Sequence, residues 1–229
     1  MTEIRRIARA YKDLAERAAS RWDPANRGNQ AILVERRRVT RALLDQGGWL
    51  PLAGRRVLEV GSGGGAELAW LFELGASLSR VVGVDLLPDR VLAARRAFPD
   101  IEFRHGNAER LDFPPGEFDL VLAITLFSSI FDRRMASNVA SEIVRVLRPG
   151  GALLWYDVRY HSVSNRNVRA VTAARVGELF PSLRGEVRTL TLLPPLARRL
   201  GPLTPAAYPV LVAAPPLRSH LIGLLRKAD

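Results

Sequence analysis

Apolar and polar positions along this chain follow two periods that trade places. Over residues 3–20 the apolar residues recur at helical spacing, with Ile4, Ile7, Leu14 and Ala18 on one stripe. The stretch RWDPANRGNQ (21–30) breaks that pattern with the turn chemistry of Asp23-Pro24 and Arg27-Gly28-Asn29. A second helix is expected from about Gln30 to Asp45, ending before Gly47-Gly48. From residue 55 the period shortens. The spacing predicts a strand at 55–60, a helix at 66–74, a strand at 80–87, a helix at 89–98 and a strand at 101–106. FDLVLAITLF (118–127) is a continuous apolar run, as for a strand buried on both faces. ASNVASEIVRVL (136–147) is a helix that stops at RPGG, where Pro149 cannot continue it, and ALLWYDV (152–158) is the next strand.

Strands that alternate with helices imply parallel βαβ units, and so an α/β, doubly wound sheet. The far end of the chain differs. EVRTLTLL (186–193) and SHLIGLLRK (219–227) read as two strands without a crossover-helix pattern between them. An apolar, proline-rich insert, residues 194–218, joins them. The expected organisation is a helical lid over residues 1–50 and one domain over 51–229 that carries the insert. The expected lid carries Tyr11 and Trp22; Tyr11 either shields a ligand by cation–π contact or is an ordinary aromatic of the amphipathic helix.

Composition narrows the chemistry only a little. The chain has 229 residues, 48% hydrophobic and 25% charged, an ordinary globular balance with enough length for a full core. It has no cysteine, which excludes disulfides, cysteine-ligated zinc and thiol catalysis. The formal net charge is +11 and is nearly all arginine, since Lys12 and Lys227 are its lysines. These arginines are scattered in twos and threes and are not interleaved with aromatics, so no nucleic-acid partner is expected. No signal-type apolar segment opens the chain, and no run of roughly 18 apolar residues occurs. A cytoplasmic location is the expectation.

VLEVGSGGG (57–65) carries the most chemistry. A glycine-rich turn between a strand and a helix lets a ligand sit against bare backbone. Gly61-Ser62-Gly63-Gly64-Gly65-Ala66 satisfies the dinucleotide fingerprint, and Asp85 ends the following strand where a carboxylate can hold ribose hydroxyls. Both features suit NAD as well as other adenosyl cofactors. Glu59 favours an adenosyl cofactor that carries an amino acid, because a buried acid needs a partner and an ammonium supplies one. Asn107, followed by Ala108 and Glu109, can read an adenine edge.

In order, VLEVGSGGG, VVGVDLLPDRV, FRHGNAERLDFPPGEFDLVLA and EIVRVLRPGGALLWYD resemble the class I S-adenosylmethionine-dependent methyltransferases of the type 11/25 small-molecule group, over residues 54–158. The resemblance implies a seven-stranded, mostly parallel sheet of order 3-2-1-4-5-7-6 with strand seven antiparallel. It implies S-adenosyl-L-methionine as cofactor, held by Glu59, Gly61, Ser62, Gly63, Asp85, Leu86, Asn107, Ala108, Glu109 and Ile124. Gly61 and Gly63 would lie under the methionine, Asp85 on the ribose, and Asn107 with the Ala108 backbone on the adenine. Family members usually have Asp at position 107, so the charge is lost here while the accepting carbonyl is kept.

Methyl transfer needs alignment, exclusion of water and, for a hydroxyl, a place for a proton. WYDVRYHSVSNRN (155–167) follows the fifth strand at the ligand-binding edge, so His161, Asp157 and Tyr160 are the candidate catalytic residues. Their bland reading is a polar loop with one buried Asp. Ser128 and Ser129 face the same edge as candidate acceptor contacts, whereas His105 and His220 are expected to be structural. No metal is expected. The insert could close over an apolar acceptor, form a homodimer face, or lie on a membrane, with Arg198, Arg199 and Arg218 against anionic headgroups. The leading expectation is O-methylation of a sugar-containing or aromatic small-molecule acceptor from natural-product or glycan pathways. The alternatives are a C- or N-methyltransferase on a quinone-like or lipid-linked acceptor, a non-catalytic cofactor-binding subunit, and an NAD-dependent reductase.

Overall fold

A computed structural model describes residues 2–17, 23–161 and 166–228. The expected strands appear as β1 (Val57–Val60), β2 (Val81–Asp85), β3 (Glu102–His105), β4 (Phe118–Ile124) and β5 (Leu147–Val158). They are followed by β6 (Leu183–Arg184), β7 (Val187–Leu192) and β8 (Arg218–Lys227). The sheet order is β3-β2-β1-β4-β5-β8-β6, with β7 also paired to β8. β1 through β5 are parallel neighbours, and β8 runs antiparallel to β5.

Among the described residues the sheet has eight strands where seven were expected. The difference has a simple cause. Leu183 faces Lys227 and Val187 faces Gly223, so β6 and β7 lie on β8 in one register and form a single edge strand interrupted at Gly185 and Glu186. A Cβ on Gly185 would stand 2.5 Å from the Leu224 carbonyl oxygen, which explains the glycine at the break. The expected order therefore holds, with β8 as the antiparallel strand.

The two faces of the sheet build separate cores because successive residues of β1 point to opposite sides. Leu58 and Val60 pack with α5 (Arg133–Val146) and α6 (Ala173–Leu179), which contribute Val139, Ile143 and Val176. Val57 packs on the other side with Leu68 of α3 (Ala66–Leu71), Val91 of α4 (Pro88–Ala97) and Leu44 of α2 (Arg27–Gln46). Glu59 shares the Val57 face. α2 thus belongs to the core of the sheet, and its Asn26 caps it by accepting from Gly28 and Asn29 backbone N–H groups at 3.0 and 3.2 Å.

α1 (Glu3–Arg17) docks across the loop after β4. Residues 18–20 of the expected first helix, and Trp22, lie outside the described residues. The insert folds into α7 (Pro194–Arg199) and α8 (Thr204–Ala213), a result its prolines conceal in sequence. Pro194, Pro195 and Pro205 sit in first turns, where the missing N–H costs nothing. Both helices rest on α2 around Ile32, Ala197 and Tyr208. The contact is close enough that a Cβ on Gly28 would meet the Ala197 carbonyl oxygen at 2.1 Å.

Candidate active site

A cavity of about 490 Å³ opens along the carboxyl ends of β2, β1, β4 and β5. Its floor is the turn after β1, where Gly61, Gly63 and Gly65 have φ of 77°, 54° and 83°. These are left-handed values that glycine adopts without strain. Gly61, Ser62, Gly63 and Gly64 line the cavity beside the side chains of Leu126 and Arg90, so a ligand can approach the main chain there.

Asp85 closes the loop from the side. Its Oδ2 accepts the Gly63 N–H at 2.8 Å and its Oδ1 accepts the Leu87 N–H at 2.9 Å. Leu86 lines the cavity, and its carbonyl oxygen lies 3.1 Å from His105 Nε2. His105 is thereby tied locally and is absent from the cavity wall.

Asn107 and Ala108 line the same end. Glu109 does not line it, but holds Asn107 in place. Asn107 Oδ1 accepts the Glu109 N–H at 3.0 Å, Asn107 Nδ2 donates to Glu109 Oε2 at 3.1 Å, and Asn138 Nδ2 donates to Glu109 Oε1 at 2.9 Å. The Asn107 carbonyl has one accepting direction left for a ligand.

Glu59 lies deeper, 2% exposed, and its Oε2 has no hydrogen-bond partner. Burial pushes its carboxyl well above the usual range, with the negative charges of Glu67 and Asp85 adding to the effect and Arg36 opposing it. Ser62 Oγ is likewise buried without a partner. Two orphaned polar groups beside a bare glycine turn are what a polar ligand would satisfy. Arg36 of α2 reaches the same chamber, bonded to Glu67 and 5.2 Å from the Tyr156 ring centroid. Ile124 completes the wall, next to Thr125 at a φ of 52°. Residues Arg36, Glu67, Thr125 and Tyr156 carry no motif, so the sequence reading passed over them.

The expected catalytic group is not assembled. His161 is exposed, with its Nδ1 3.5 Å from the Ala170 nitrogen, and Tyr160 is exposed, with its hydroxyl donating to the Pro216 carbonyl at 3.3 Å. Neither lines the cavity. Asp157 is 1% exposed beneath it and accepts the Ser128 N–H at 3.0 Å and its neighbour Val158's N–H at 2.8 Å. Burial raises its carboxyl to about 6, against the pull of those hydrogen bonds. Asp157 thereby braces the loop after β4. The adjacent segment 162–165 lies outside the described residues.

Ser128 and Ser129 do line the cavity. Ser129 Oγ is 3.0 Å from the Tyr11 hydroxyl, and Arg90 lies 4.5 Å from the Tyr11 ring centroid. Glu3 accepts the Phe131 N–H at 2.6 Å, and Arg6 stacks 3.7 Å from the Phe131 ring centroid. These contacts hold α1 across one side of the cavity. His220 of β8, expected to be structural, also lines the wall. Among the described residues no group of three His, Asp or Glu side chains could hold a metal ion, and no helix is long and apolar enough to cross a membrane.

The glycine loop, Asp85 and Asn107 occupy successive strand ends in sequence order, and a family profile described as a methyltransferase domain matches residues 58–155. The chain carries a class I methyltransferase domain of the type 11 group. S-adenosylmethionine is the cofactor of this family, and the orphaned Glu59 and Ser62 fit it. When bound it supplies a methyl group on a sulfonium. The methyltransferase domain is 33% identical over 140 residues to the ubiquinone biosynthesis O-methyltransferase of Paracidovorax citrulli, covering 57% of this chain and 54% of that protein. It is 32% identical over 157 residues to the fatty-acid O-methyltransferase of Mycolicibacterium smegmatis, covering 65% and 56%. An S-adenosylmethionine-dependent methyltransferase structure from Mesorhizobium loti superposes with a TM-score of 0.62 over 90% of this chain and 99% of that one, at 19% identity. The chain spans between about a third and about half of the length of the first curated relatives it matches.

Proposed function

We propose that this protein transfers the methyl group of S-adenosylmethionine to an oxygen of a small, largely apolar acceptor. One observation carries the reading. An unpartnered, buried Glu59 sits at the floor of a cavity whose other walls include Ile7, Leu14, Ile32, Met135 and Val139. The acid suits the cofactor's ammonium, and the apolar walls suit an aromatic or alkyl acceptor better than a bare sugar. The two relatives above bear names that place methyl transfer on oxygen, one in ubiquinone biosynthesis and one on fatty acids. A non-catalytic cofactor-binding subunit would bind the cofactor without turnover.

The test is transfer of radiolabelled methyl from S-adenosylmethionine to an alkyl catechol, an alkyl phenol and a long-chain fatty acid, with Asp85→Asn as the control for cofactor dependence. Labelled product with any of them supports the reading. Cofactor binding with no transfer to any of the three supports the subunit reading instead.

The lid role of residues 1–50 and a cytoplasmic location belong to the same proposal. So does a surface role for the insert, where Leu203 and Val210 are 68% and 72% exposed. Co-sedimentation with anionic vesicles tests the membrane version. Light scattering tests the homodimer version.

A further inference from the structure

The cavity wall contains one titratable side chain whose tautomer the hydrogen bonds decide. His220 is 6% exposed and stacks on Tyr156, the ring centroids 4.7 Å apart and the planes 8° from parallel. Its Nδ1 lies 2.8 Å from Ser219 Oγ. Ser219 Oγ also donates to the Thr191 carbonyl oxygen at 3.0 Å. A hydroxyl has one proton, and a carbonyl can only accept. Ser219 has therefore spent its proton on Thr191, and His220 Nδ1 must be the donor in the other bond. In the neutral imidazole Nε2 is then left with a bare lone pair. It makes no hydrogen bond among the described residues and is not sealed in the interior, while the residue lines the cavity.

The surroundings fix this arrangement. Thr191 is fully buried at a φ of 68°, a backbone state that a β-branched residue adopts only when its neighbours hold it there. Three groups do so. The Tyr156 hydroxyl is 3.0 Å from Thr191 Oγ1, Glu35 accepts the Thr191 N–H at 3.1 Å, and Tyr208 donates to Glu35 at 2.7 Å. Burial, reinforced by the positive charge of Arg36, pushes the imidazole down to about 3, so it stays neutral near physiological pH.

We propose that His220 is a specificity-determining residue whose Nε2 accepts a hydrogen bond from a neutral hydroxyl on the acceptor. The inference rests on the methyl-transfer reading only in calling the occupant an acceptor. A neutral imidazole lone pair attracts O–H, repels a carboxylate and offers an ether nothing. It selects phenols and alcohols over their methylated products, which favours release after transfer. His220 stands opposite Val158 on β5, on the side of the sheet away from Asn107 and Asp85, so it addresses the acceptor end of the cavity.

The probes are 4-butylphenol and 4-butylanisole, which share a shape and differ in the hydroxyl proton. Binding is measured by calorimetry with S-adenosylhomocysteine present, on wild type, His220→Phe and His220→Gln. Nitrogen-15 histidine spectra of the wild type report the tautomer. The expected result is an Nδ1–H tautomer, phenol bound at least about tenfold more tightly than anisole, and that preference lost in His220→Phe while homocysteine-cofactor affinity stays within about twofold. His220→Gln, which keeps an acceptor, should restore part of it. A protonated Nε2, equal or absent binding of the two probes, or an Nε2 resonance moved by S-adenosylhomocysteine and not by the phenol would overturn the proposal. Failure of the wild type to bind S-adenosylhomocysteine would instead sink the methyl-transfer reading. The phenol–anisole comparison, repeated without cofactor, then decides His220 by itself.

Discussion

Asp85 Oδ2 accepts the backbone N–H of Gly63 at 2.8 Å, tying the end of β2 to the glycine turn after β1. The carboxylate thus shapes the glycine loop by itself. Asp85→Asn can satisfy only one of its two backbone donors and leaves the other facing an amide N–H. A lost hydrogen bond to a charged group costs about 1.5–3 kcal/mol. S-adenosylmethionine affinity should fall roughly ten- to a hundredfold by calorimetry.

Burial raises the Glu59 carboxyl well above the ordinary range in the free protein. An ammonium placed beside it favours the carboxylate. Cofactor binding should therefore release a proton at pH values below the raised titration point. Calorimetry in buffers of different ionisation enthalpy reads that proton directly. Glu59→Gln should abolish the buffer dependence and weaken binding.

The glycine loop makes a sharp pair of predictions. A Cβ on Gly65 would lie 2.4 Å from Phe103 Cζ, at a φ of 83°, whereas Gly64 has nothing within 4 Å. Gly65→Ala should lower stability by about 2–4 kcal/mol from overpacking plus backbone strain. Gly64→Ala should leave thermal unfolding nearly unchanged. Similar losses for both variants would mean the loop is not folded as described.

Two buried groups give opposite pH slopes. His220 falls from its ordinary 6.5 to about 3 on folding, so the folded state binds fewer protons between those values and stability drops as pH falls through that window. The slope is up to about 1.4 kcal/mol per pH unit. Asp157 rises from 3.8 to about 6, so its contribution is present at low pH and is lost as pH rises across that interval. Chemical denaturation across pH 3–7 should show His220→Phe flattening the acid limb and Asp157→Asn steepening it.

How much of this was legible beforehand depends on whether a residue's role is local. The parallel strands, the glycine turn, Asp85 and Asn107 could be read because each sits at a fixed place in a strand–turn–helix unit. The antiparallel end was visible from 186–193 and 219–227, and only the break at Gly185 escaped. The insert helices α7 and α8 escaped because prolines in first turns look like loop chemistry until the N-terminus of a helix is located. His161 and Tyr160 were chosen for their place after β5, but nothing in the sequence says that the side chains turn outward there. Asp157 was visible as an acid at a strand end and its burial as one of two readings, whereas its bond to the Ser128 N–H was not. His220 was discounted as a lone histidine in an apolar strand. Its partners, Tyr156, Thr191 and Ser219, come from three separate segments, and only folding puts them together.

Glu35 and Arg36 are adjacent on α2, yet they face different rooms. Glu35 is locked by Tyr208 of the insert and by Thr191, while Arg36 meets Glu67 beside the cofactor floor. One rigid rod is therefore the party wall between the donor chamber and the insert.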